Sequence, residues 1–170
     1  MKILKPIVLL ALLALTVGAT AQIKIPGTRF SFSFPNNGWK YLQTNKVDED
    51  VTVYLYSYAK DYVIDSVGDT VIPFMRLYVR RNFDGTVYDL ALNRYTNQPF
   101  EPLDNYELKD GSLGYLGAYT SNEDGKDYVF RMLYMKDGTN VIEIRLECPL
   151  DNYEDFEGEF LSILHTFKKG

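Results

Sequence analysis

Apolar residues along the chain recur first at every second position, then at helical spacing, then again at every second position. Arg29 to Phe34 alternates polar residues with Phe30, Phe32 and Phe34, which predicts a strand. Pro35-Asn36-Asn37-Gly38 stops it as a turn, and Trp39 follows. Val51 to Tyr58 is a second strand, with Val51, Val53 and Leu55 on one face and Thr52, Tyr54, Tyr56 and Tyr58 on the other. A polar loop leads to a third, Ile72 to Arg81, in which Met75, Leu77 and Val79 oppose Phe74, Arg76, Tyr78 and Arg80.

At Asp84-Gly85-Thr86 the period changes. Val87, Leu90, Ala91 and Arg94-Tyr95 are spaced for one helical face, and Thr86 with Asp89 three residues on resembles a capping box with Asp for Glu. Asn97 to Asn105, with Pro99 and Pro102, reads as loop. Strands resume at Tyr106 to Lys109, Leu113 to Thr120, Lys126 to Met135 and Asn140 to Glu147. The Asp-Gly steps at Asp124-Gly125 and Asp137-Gly138 suit tight hairpins, because glycine supplies the positive φ. Asp151 to His165 is an amphipathic helix: Phe156, Phe160, Ile163 and Leu164 form its stripe, and acidic residues crowd its first half, where the helix dipole favours them.

Lys126 to Met135 is apolar on both sides, with Tyr128, Phe130, Met132 and Tyr134 opposing Val129, Leu133 and Met135. Such a strand belongs in a sheet covered on both faces, and the two helices are the natural covers. The predicted fold class is therefore α+β, an antiparallel β-sheet flanked by helices. No repeat, low-complexity tract or linker divides it.

The N-terminus has a different pattern. Lys2 and Lys5 precede the apolar run Ile7 to Val17, and Ala19-Thr20-Ala21 is an A-x-A cleavage signature. Residues 1–21 read as a signal peptide, leaving Gln22 to Gly170 as one domain. About a dozen apolar residues fall short of the roughly 20 that span a bilayer, so no stable membrane anchor is expected after cleavage. No cysteine stands at the end of the run to receive a lipid. Removing residues 1–21 from the 170-residue chain leaves 149 residues, enough for a core of their own. It also removes two of the 18 basic residues, so 16 face 23 acidic ones, a net charge of −7. That balance argues against a nucleic-acid partner. The single cysteine, Cys148, has no disulfide partner within the chain and is expected to be a small buried hydrophobe.

Phe32-Ser33-Phe34-Pro35-Asn36-Asn37-Gly38-Trp39 resembles the Phe-Pro-Trp opening of the PsbP-like, Mog-type domains. The ending is similar too: Asn140-Val141-Ile142-Glu143-Ile144, then Cys148-Pro149, then Phe156, Phe160, Ile163-Leu164 and Thr166-Phe167-Lys168, with Thr166 where serine is commoner. The resemblance implies an α-β-α sandwich and a non-enzymatic binding or assembly role, as in extrinsic photosystem subunits and a regulator of a small GTPase. It carries over no partner-contact residue.

Reactive constellations are hard to assemble from this chain. The only histidine, His165, ends the last helix, where a cation suits the dipole. One histidine and one cysteine do not make a zinc site. Asp48-Glu49-Asp50 and Asn122 to Asp127 lack the spacing of calcium loops and read as solvated turns. No nucleotide-binding glycine loop or nucleophile elbow is present. The expectation is no catalytic residue, no metal and no cofactor. The most distinctive feature is aromatic and basic: Tyr54, Tyr56 and Tyr58 share one strand face, and Arg76, Tyr78 and Arg80 share one face of the next. If those faces coincide they form one binding patch, since Tyr and Arg are enriched at interface hot spots. Burial of the patch as core is the competing reading. The expectation is an exported module, periplasmic or secreted, that binds another envelope protein or a glycan. A small-ligand carrier and a hydrolase with a carboxylate pair are the alternatives.

Overall fold

The computed structural model describes residues 21–58, 63–64, 68, 70–95 and 99–170; the expected leader, apart from Ala21, lies outside the described residues. Seven strands make the main sheet, every adjacent pair antiparallel: β3 (Trp39–Lys46), β4 (Val51–Tyr58), β7 (Phe74–Arg80), β11 (Asn140–Pro149), β10 (Lys126–Asp137), β9 (Leu113–Glu123) and β8 (Pro99–Glu107), in that spatial order. β11 is the central strand. The chain reaches it last, because helix α1 (Val87–Tyr95) carries it from β7 to the far edge and the β8-β9-β10-β11 meander then returns. A small sheet joins β1 (Ile23–Lys24), β2 (Phe30–Phe32) and β12 (Lys168–Lys169), and β5 (Val63–Ile64) pairs with β6 (Thr70–Val71). A single 3-10 turn, Leu150–Asn152, leads into α2 (Tyr153–Leu164).

Local chemistry accounts for the turns and caps. Asp124 and Gly125 both have positive φ (53° and 83°), so the β9–β10 hairpin closes through two left-handed residues, while β10–β11 needs only Gly138, at 63°. Thr86 Oγ1 accepts the Asp89 amide at 3.0 Å and its hydroxyl donates to the Asp89 carboxylate, which fixes the start of α1. Gly38 is required by packing: a Cβ there would sit 2.1 Å from the Tyr58 ring.

Two apolar clusters form, and they draw on opposite residue parities of β10. Phe156, Phe160, Ile163 and Leu164 of α2 pack with Val129, Leu133 and Met135, with Ile142, Ile144 and Leu146, and with Met75, Leu77 and Val79. The aromatic residues of the small sheet join them, Phe32 stacking on Phe167 at 4.9 Å. Val87 and Ala91 of α1 pack with Met132, Tyr134 and Val141. β10 is thus buried on both faces, as its pattern requires. Each fully buried Leu, Ile or Phe contributes about 2 kcal/mol of transfer free energy.

Three local expectations need correction. The predicted loop Asn97 to Asn105 is largely strand: Asn97 lies outside the described residues, and β8 begins at Pro99. Its prolines are tolerated because β8 is an edge strand with register shifts after Pro99 and Glu101. β3 was not anticipated either; after Trp39 its residues are exposed, so no buried alternation marks it. The first predicted strand shortens to Phe30–Phe32, and all three residues are buried where alternation was expected.

Candidate functional site

Residues directly opposed in an antiparallel pair share a face. β7 therefore decides the fate of the predicted patch. Arg80 stands between Val51 and Val141, Tyr78 between Val53 and Glu143, and Arg76 between Leu55 and Arg145. Tyr54 and Tyr56 stand opposite Leu77 and Met75, on the α2 side. The six residues do not form one surface. Arg76, Tyr78 and Arg80 lie on one face; Tyr54, Tyr56 and Tyr58 lie on the other, because Val51 rather than Thr52 pairs with Arg80 and a one-residue offset exchanges faces.

The three tyrosines serve packing. Tyr56 meets Phe32, Phe34 and Tyr41 edge-on, and burial pushes its hydroxyl up to about 12. Tyr58 lies against Trp39 and Phe156, and Tyr54 packs half-buried on the main cluster. Trp39 also donates its indole N–H to Glu159 of α2 at 2.8 Å, tying the β3 edge to the helix.

On the other face a charged network occupies the centre. Glu143, at the midpoint of the central strand, has no exposed surface. Its carboxylate accepts from Arg80 (Nη2, 2.9 Å), from Arg145 (Nη2, 3.1 Å) and from the Tyr134 hydroxyl (3.4 Å), with Arg94 of α1 at 4.0 Å. Four residues along β11, Glu147 pairs with Arg76. The guanidinium of Arg145 lies over the rings of Tyr78 (5.2 Å) and Phe130 (5.7 Å), and that of Arg80 lies over Tyr78 from 5.5 Å. Cation–π contact and ion pairing together hold these long side chains in place. Sequence reasoning found Arg76, Tyr78 and Arg80 but missed Glu143, Arg145 and Glu147. Their signal was present: Val141, Glu143, Arg145 and Glu147 alternate with the fully buried Ile142, Ile144 and Leu146.

Electrostatics on this face follow from burial. Desolvation raises Glu147 above the ordinary carboxylate range even though Arg76 and Arg145 favour its charge. Burial also opposes the charge on Arg145, but Glu143 and the neighbouring tyrosines override it and raise its pKa. The Tyr134 and Tyr119 hydroxyls are raised, chiefly by burial. Beside Arg76 and Glu147 a concavity of about 350 Å³ opens, lined also by Ile72, Phe74, Lys126 and Tyr128.

Other candidates resolve into structural roles. Cys148 is buried in the α2-side cluster, where desolvation pushes its thiol to about 12. His165 caps α2 and stacks on Tyr106 at 6.2 Å. Asp48 accepts the Asp50 and Val51 amides, and Asn122 bonds Gly125 and Asp127, so both acidic turns use their side chains locally. Glu143 and Glu147, four residues apart on one strand, are each paired with arginine, Glu143 with Arg80 and Arg145 and Glu147 with Arg76. Among the described residues no group of three His, Cys, Asp or Glu side chains is placed to hold a metal, and no helix is long and apolar enough to cross a membrane.

No family model matches the sequence. No curated protein matches it either. Solved structures do match the fold. LpqN of Mycobacterium tuberculosis, involved in cell envelope biogenesis, aligns with a TM-score of 0.52 at 11% identity, over 87% of this chain and 88% of its own. The cyanobacterial PsbP of Synechocystis aligns at 0.52 and 13% identity, over 91% and 96%. A mutant form of Mog1 aligns at 0.50 and 12% identity, over 88% and 95%. The chain has a PsbP/Mog-like fold. At these identities the likeness establishes architecture alone.

Proposed function

We propose that the protein is an exported, non-enzymatic accessory module of the bacterial cell envelope, with its layers arranged as an α-β-α sandwich, and that it acts by binding another envelope protein. The face carrying Arg76, Tyr78 and Arg80 is its docking surface. The observation that carries this reading is the ion network at the centre of that face. A buried ion network is an expensive way to cover a sheet, since apolar residues of similar volume stabilise as well or better. Its outer members, Arg76 and Arg94, keep 35% and 45% of their side-chain surface exposed, so the arginines are anchored at one end and accessible at the other. Rigid Arg and Tyr side chains of that kind are typical anchors of protein interfaces. The envelope assignment draws on the leader-like N-terminus and on LpqN, a protein of the same fold involved in envelope biogenesis.

Site-specific photo-crosslinking in cells exporting the full chain tests this. A photoreactive residue at position 72, exposed in the concavity beside Arg76, is expected to give a discrete protein adduct, and the same residue at the exposed position 154 on α2 is expected to give none. Equal adducts at both positions, or none at 72, would remove the docking face.

A further inference from the structure

The same network states what kind of group the partner presents. Around the centre of the face, among the described residues, Arg76, Arg80, Arg94 and Arg145 pair with Glu143 and Glu147. Glu123 and Lys126, directly opposed at the rim, carry opposite charges. Among the described residues, arginine therefore outnumbers glutamate by two at the centre of the face, on a chain whose formal net charge is −5. The Nε of Arg145 is buried without a hydrogen-bond partner, an unmet donor beneath the centre of the face. Arg80 and Arg145 are held by Tyr78, Phe130 and Glu143, and Arg76 by Glu147, so these three lose little side-chain entropy when an anion arrives.

Resting on the docking reading above, we propose that this surface takes a short acidic segment of the partner protein, whose carboxylates engage Arg76 and Arg94 at the rim and approach Arg145 at the centre. The charge balance selects the length of that segment. At physiological salt, charges interact over about 8 Å. A local cluster of carboxylates feels the two excess arginines, whereas a long polyanion also runs over the acidic remainder of the molecule and is repelled. A sheet face with concave relief beside Arg76 also suits a peptide segment that can place one side chain at a time.

Fluorescence anisotropy with the mature chain and a labelled hexaglutamate peptide tests the proposal, with hexaglutamine and long heparin chains as comparators. Hexaglutamate is expected to bind, to weaken at least tenfold between 50 and 300 mM salt, and to weaken at least tenfold in the Arg76→Gln/Arg94→Gln double variant; hexaglutamine is expected not to bind. Both substituted side chains are partly exposed, and circular dichroism confirms that the variant is folded. As a second readout, the Arg145 Nε–H resonance is expected to shift on adding hexaglutamate. Equal binding by the double variant, or an unmoved Arg145 signal, overturns the site. Tighter binding of heparin overturns the acidic peptide in favour of an anionic glycan. If hexaglutamate fails while position 72 still crosslinks a protein, the ligand chemistry falls and the docking face stands; if both fail, both readings fall.

Discussion

The two faces of the central sheet are built from the same strands on opposite plans. On the α2 side an apolar centre lies between two charged groups, one at the rim and one buried under α2. Asp137 is held by Arg29 and Lys169 at one end, and Arg131 by Glu101, Glu157 and Tyr153 at the other, while Leu77, Ile144, Leu133 and Phe160 fill the centre. On the opposite side charge occupies the centre, at Glu143 and Arg145, and apolar packing is pushed aside to α1 and its neighbours. The difference separates a face that stabilises the molecule from one that spends stability to keep ions in place. Residues alternating along β11 obey opposite rules at 3.3 Å intervals.

The sharpest way to break this comparison is to remove apolar volume from the α2 side. Phe160 is fully buried against Trp39 and Phe156, so Phe160→Ala is expected to cost about 4 kcal/mol, read from urea unfolding. On the other face, Glu143→Gln withdraws the charge shared by three arginines. Because glutamine keeps an amide oxygen for Arg80 and Arg145 and the half-exposed Arg94 can turn toward water, the expected loss is smaller, about 2 kcal/mol. If Glu143→Gln costs as much as Phe160→Ala, the two faces contribute alike and the contrast fails.

The rim of the α2 side gives the smallest effect and a pH signature. Burial works against ionisation of Asp137, but the backbone amide and guanidinium of Arg29 and the Lys169 ammonium outweigh it, so its pKa lies below the ordinary value. A lowered native value contributes stability that is fully present above about pH 4, the ordinary carboxylate value. The contribution is lost as pH falls through the lower native value. Asp137→Asn is accordingly expected to cost about 1 kcal/mol near neutral pH and to converge on the parent chain in acid. Thermal unfolding across pH 2–7 checks this, and a constant gap between the two chains would mean that the ion pair is not its source.

Much of the fold was legible from period alone. β4, β7, β9, β10, β11 and both helices follow the alternation or the helical stripe, and the Asp-Gly turns close the hairpins where they were expected. The two edge strands escaped for complementary reasons: β3 buries almost nothing beyond Trp39, and β8 carries prolines that only an unpaired edge accepts. Half of the suspected patch belongs to the charged face because Arg76, Tyr78 and Arg80 share a strand parity. The other half was lost to a one-residue register relation between β4 and β7. Glu143, Arg145 and Glu147 escaped because an apolar run interrupted by charges reads as core when only its hydrophobic members are weighed.

Sequence by itself determined the turns, the helix stripes and the parity of every central strand, because each depends on residues within a few positions of one another. Only the tertiary structure decided which parity faces α2, which strand stands at the centre, and which arginines meet Glu143. Those outcomes depend on partners far apart in the chain, 71 residues in the case of Arg76 and Glu147, joined through the pairing of β7 with β11. Register between distant strands is set by the packing of the whole sheet, and no local pattern encodes it.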